Sequence, residues 1–123
     1  VVDRFNLVSH ERALWQSLVA SVDATVVDGR AGIDGQVFDC RNPSRRVAGV
    51  TASLDVAARA AYTLPGLVAI DPGAAATANN GRFFFFDVPV MSVGIAVGIG
   101  PELVVHRAVR TVADSVTVFS ITP

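Results

Sequence analysis

The chain is 123 residues long, 51% hydrophobic and 17% charged, with a formal net charge of −1. That length supports one hydrophobic core, and the composition excludes a disordered chain and a nucleic-acid binder acting through a general basic field. No apolar run reaches the ~18–20 residues of a membrane-spanning helix.

Val1 to Val8 reads as a short strand or an arm. It has neither an initiator methionine nor the basic, apolar, small-residue layout of a signal peptide, so the N-terminus is expected to be processed or incompletely represented. From His10 to about Val22 the spacing predicts an amphipathic helix. Leu14, Trp15, Leu18 and Val22 recur at helical spacing after Leu7, with Arg12, Gln16 and Ser17 on the other side. Ser9 is the candidate N-cap, and Glu11 suits the positive end of the helix dipole. Ala24 to Asp28 is β-prone. Gly29, Gly32 and Gly35 then mark a loop, without the strand-to-helix context that a phosphate loop requires.

Gln36 to Cys40 reads as a short strand, Arg41 to Ser44 as a turn and Arg46 to Ser53 as another strand. Leu54 to Leu64 alternates without a break and is read as a strand, although its alanines also suit a helix. Leu67 to Ile70 is a short strand closed by Asp71-Pro72-Gly73, and Ala74 to Asn80 is a loop of small residues. Ser92 to Ile99 has a period of two: Val93, Ile95, Val97 and Ile99 on one face, Ser92, Gly94, Ala96 and Gly98 on the other. Leu103 to Arg110 and Ser115 to Ile121 complete the series.

Four consecutive phenylalanines, Phe83 to Phe86, follow the turn signal Asn79-Asn80-Gly81. Successive side chains on a strand point to opposite faces, so this strand needs cover on both. The small side of Ser92 to Gly98 is the expected cover for one face, because glycine in a strand invites a close bulky neighbour. The Trp15 helix or a neighbouring subunit covers the other. Phe83, Phe84, Phe85, Phe86 and Trp15 are therefore the expected interface residues, since large apolar patches mark interfaces.

Residues that carry chemistry are sparse. His10 and His106 lie far apart in sequence with no metal-ligand spacing around them, so neither a metal nor another cofactor is expected. Cys40, the single cysteine, excludes an internal disulfide. Arg41 beside it favours a thiolate, but no nucleophile signature surrounds it. Turn chemistry accounts for Asp28-Gly29, Asp34-Gly35 and Asp71-Pro72. Asp55, Asp87 and Asp114 fall in or beside strands, where Arg59, Arg82, Arg107 or Arg110 are candidate partners. Arg45-Arg46 is too short for a nucleic-acid patch. All ten basic residues are arginine, which fits both a GC-rich coding sequence and the use of arginine in buried or interfacial ion pairs.

Tyr62-Thr-Leu-Pro, Asp71-Pro-Gly-Ala-Ala-Ala-Thr, Pro101-Glu-Leu-Val-Val and Ala113-Asp-Ser-Val-Thr-Val-Phe follow one another across Tyr62 to Pro123. This order of phrases resembles the small β-sandwich modules of tailed-phage virion proteins, such as head decorations and fibres. The four phenylalanines replace the usual threonine–valine alternation, and the N-terminal helix has no counterpart there. The resemblance implies a structural role in a virion or other assembly, not a catalytic one.

These readings combine into a mainly β chain. A β-sandwich or barrel of about eight short strands with one N-terminal amphipathic helix is expected. It forms a single domain, with residues 1–23 as arm and helix and 24–123 as the β-rich body. The expected function is a non-catalytic structural subunit of a virion or other large assembly, located in the virion or alternatively the cytoplasm. Its expected partners are further copies of itself or other virion structural proteins, with no specific nucleic acid and no membrane. Two alternatives are a small module binding an apolar ligand, and a small enzyme using Cys40, His10 or His106 with an aspartate.

Overall fold

In the computed structural model, the residues described are 2–6, 15–18, 20, 29–42, 44–58, 60–66 and 69–122. Nine strands run through them: β1 (Val2–Asn6), β2 (Ala31–Val37), β3 (Val50–Leu54), β4 (Ala60–Thr63), β5 (Ile70–Asp71), β6 (Arg82–Val88), β7 (Ser92–Ile99), β8 (Glu102–Arg110) and β9 (Ser115–Ile121). They form a six-stranded sheet in the order β1-β9-β2-β6-β4-β5 and a three-stranded sheet in the order β3-β7-β8. Both sheets end in edge strands, so neither closes into a barrel. The pairs are antiparallel except β2 with β9, which run parallel at the centre of the larger sheet.

The phenylalanine strand β6 is an interior strand, flanked by β2 and β4. Gly81 opens it at φ 63°, a left-handed conformation natural to glycine. Phe83 and Phe85 join Ile33, Val37, Val50, Val93, Ile95 and Val97 in a core shared by the two sheets. Phe84 and Phe86 point to the opposite face and cluster with Trp15, Ile70 and Val116. Within the expected helix, residues 15–18 and 20 are helical. Trp15 packs edge-on against Phe84 and Phe86, with ring centroids 6.0 and 4.9 Å away.

Several segments differ from expectation for reasons visible in the packing. Gly32 and Gly35 do not mark a loop; both lie inside β2, a central strand. A methyl group at Gly32 would overlap the Trp15 indole, and one at Gly35 would overlap the Phe83 ring. The two glycines thus leave room for one aromatic ring on each face of the strand. The small side of β7 does not receive the phenylalanines. Its branched side, Val93, Ile95 and Val97, supplies the volume that fills the space between the sheets. Gly94, on the small side, is covered by the side chains of His106 and Asp55.

Leu54 to Leu64 is not one strand. β3 ends at Leu54, the chain bends over residues 55–57, and β4 begins at Ala60. The N-terminal segment is more than an arm, since β1 extends the larger sheet by pairing with β9. Ala24 to Asp28 lies outside the described residues.

Candidate functional site

The five expected interface residues are interior. Phe83, Phe84 and Phe85 are at most 1% exposed, Trp15 is 5% exposed and Phe86 is 9% exposed. The reason is the cover just described: the shared core takes one face of β6 and Trp15 takes the other. No neighbouring subunit is needed to bury them.

The two edges of the three-stranded sheet differ in how their backbone groups are used. On β3, the Val50 N–H donates to the Thr77 hydroxyl at 3.0 Å, and the Thr77 N–H donates to the Val50 carbonyl at 2.9 Å. The Ala52 N–H donates to the Tyr62 hydroxyl at 3.0 Å, a bond that also ties the two sheets together. Thr77 is buried, and its hydroxyl donates on to the Val47 carbonyl at 2.9 Å. The loop before β6 thus covers the β3 edge. β8, nine residues long, has no strand paired with its outer flank among the described residues. Leu103 near its start is 67% exposed, and Ile99 across the β7–β8 turn is 48% exposed.

The remaining chemistry-bearing residues are scattered. His106 projects from the outer face of the three-stranded sheet beside Asp55, both close over Gly94. Cys40 is exposed in the loop after β2, where the Asp39 carboxylate accepts the Arg41 N–H at 2.9 Å. The structure therefore seats Cys40 and His106 on different layers, and His10 and Arg59 lie outside the described residues. Among the described residues, no group of three His, Cys, Asp or Glu gathers to hold a metal ion. No helix among them is long and apolar enough to cross a membrane.

The aspartates pair differently from expectation. Asp87 is bound by Arg30, whose Nε donates to Oδ1 at 2.8 Å and whose Nη2 donates to the Asp87 carbonyl at 2.7 Å. Asp114 accepts the Gly29 N–H at 2.8 Å, closing the loop ahead of β9 against the start of β2. Both aspartates have positive φ, 54° and 55°, and these bonds hold that uncommon conformation in place. Asp71 does serve a turn, with its carboxylate accepting the Gly73 N–H at 3.0 Å.

Asp34 is the residue that turn chemistry misassigned. It sits mid-strand in β2, directly opposite Phe84 and Val118, with its side chain 13% exposed. Oδ2 lies 3.8 Å from Arg82 Nη2, while Oδ1 is buried without a hydrogen-bond partner. Burial pushes its pKa up to about 6, against the opposing pull of the Arg82 guanidinium. The same face carries Gln36 and Phe38 further along the chain, since alternate residues of a strand share a face. Arg46 pairs with Phe38 through an isolated bridge and lays its guanidinium carbon 4.0 Å from the centre of the Phe38 ring. Arg46 Nη1 is also buried without a partner. The alternation Ile33, Asp34, Gly35, Gln36, Val37 is the local signal for this strand, and the glycines in it obscure that signal.

No protein-family model matches the chain, and no curated protein or solved structure matches it either.

Proposed function

We propose that this chain is a non-catalytic structural subunit of a virion or other large protein assembly, joined to its neighbours by an open sheet edge. The observation that carries this reading is β8. It is the longest strand and lies at an edge, and among the described residues no strand pairs with its outer flank, whereas β3 at the other edge is bonded by Thr77 and Tyr62. An uncovered edge strand is a template for strand addition, in which backbone hydrogen bonds supply affinity. In the sandwich-like arrangement of two sheets, Trp15 packs on the outer side of the larger one, the sheet that does not contain β8. The order of phrases from Tyr62 to Pro123 supports the same role.

The charges on β8 restrict its partner. His106, Arg107 and Arg110 crowd one strand with a single acid, Glu102. Paired antiparallel about His106, two β8 strands set Glu102 of each copy opposite Arg110 of the other, an opposite-charge pair. The contact proposed is therefore with another copy of this chain.

Sedimentation velocity and light scattering test this. The wild type is expected well above the 12.9 kDa of a single chain. Leu103→Lys should move it toward that mass while changing stability by no more than about 0.5 kcal/mol, because the site is exposed. A wild type that stays monomeric at high concentration would remove the proposal. So would a Leu103→Lys variant that assembles as the wild type does.

A further inference from the structure

Two arginines with few protein partners follow one another along the same flank of β2. Arg82 is opposite Gln36 and Arg46 is opposite Phe38, two residues further on. Residues directly opposite on neighbouring strands share a face, so both side chains rise from the face that bears Asp34, Gln36 and Phe38. Two residues along a strand span roughly 7 Å, within reach of two long, flexible side chains converging on one small group. The backbone brings them together independently: a methyl group on Gly81, the residue before Arg82, would lie 3.2 Å from the Arg46 Cβ.

The hydrogen bonding around them is incomplete. Arg82 has only Asp34, at a loose 3.8 Å, among the described residues. Arg46 lies against the Phe38 ring with its buried Nη1 unpartnered. A buried guanidinium nitrogen without an acceptor is costly, and such a group calls for a water or an ion. Against two arginines there is one aspartate in the cluster, so the cluster keeps an excess positive charge.

We propose that Arg46 and Arg82 form a binding site for an oxyanion, a carboxylate or a phosphate, at the Phe38 end of the outer face of the six-stranded sheet. The planar guanidinium fork matches the spacing of two oxygens on such a group, and the Arg46 guanidinium lies over the Phe38 ring. Asp34, beside Arg82, competes with the ligand for that arginine. The site is separate from the β8 edge, on the other sheet, so it stands or falls independently of the assembly reading.

The test is calorimetric titration of the full chain with inorganic phosphate and, separately, with acetate, at constant ionic strength so that screening does not change. Saturable one-site binding of either anion is expected, and which of them binds identifies the source of the oxyanion. Arg46→Gln, which leaves the Asp34–Arg82 pair in place, should weaken binding by roughly tenfold or more. Arg45→Gln should leave it unchanged, because that side chain is 73% exposed and outside the cluster. Asp34→Asn should tighten it. Failure of both anions to bind at tens of millimolar would overturn the proposal, as would equal loss in the Arg45→Gln and Arg46→Gln variants.

Discussion

Phe85→Ala is expected to destabilise the chain by about 3–5 kcal/mol, read as a fall in the urea midpoint at unchanged slope. Phe85 is fully buried in the core shared by the two sheets. It stands opposite Ile33 on one side and Ala60 on the other, with the Phe83 ring 5.8 Å away, edge-on. The small residue at Ala60 cannot expand into the gap, and Ile33 is itself enclosed. Removing the ring therefore loses its burial and leaves a cavity, the combination behind the largest core effects. Set against a typical total of about 5–15 kcal/mol, that loss is enough to unfold a marginal domain. A change below about 1 kcal/mol would mean that the core between the sheets collapses around the site.

The second large effect is pH-dependent and has the opposite sign. Asp34 titrates near 6 in the folded chain, against an ordinary value of 3.8. Below pH 4 it is protonated in both folded and unfolded chains and contributes nothing to the difference. Between about pH 4 and 6 the folded chain holds a proton that the unfolded chain has released, so stability falls as pH rises. Above that window a buried carboxylate remains, with Oδ1 unpartnered, at a cost of about 3 kcal/mol. Asp34→Asn should therefore raise stability at pH 7 by up to that amount, less what is lost by leaving Arg82 without its acid. The advantage should vanish near pH 4, where the wild-type side chain is already neutral. A stability difference that stays constant from pH 4 to 7 would show that Asp34 is not held in its neutral form by the fold.

Local periodicity made part of this architecture legible. Ser92–Ile99 and Ser115–Ile121 occur as read, because a period of two bounded by Gly-Pro or turn residues fits little else. The need for cover on both faces of Phe83 to Phe86 was likewise written in the run itself. What covers them was not, because that depends on pairings between segments far apart in sequence. The parallel pairing of β2 with β9 brings Ala31–Val37 beside the C-terminal strand, and no local signal specifies it. Gly32 and Gly35 resembled loop residues because their purpose lies in Trp15 and Phe83, rings contributed from elsewhere in the chain. Asp34, the buried acid, lies between them and shares their loop-like local signal. The small side of β7 offers room for a ring, but the shared core takes Val93, Ile95 and Val97, the larger side chains.

Both faces of the phenylalanine strand are closed within one chain, and the proposed assembly contact lies elsewhere, on β8. Trp15 is the only tryptophan, and it lies on the face where a neighbour was the alternative cover. Its fluorescence emission, followed on dilution from the assembled state to the single chain while mass is measured in parallel, separates the two cases. A blue-shifted emission that does not change as the mass falls is the result predicted here. A red shift that tracks dissociation would mean that a neighbouring subunit covers Trp15 and Phe84, and would contradict it.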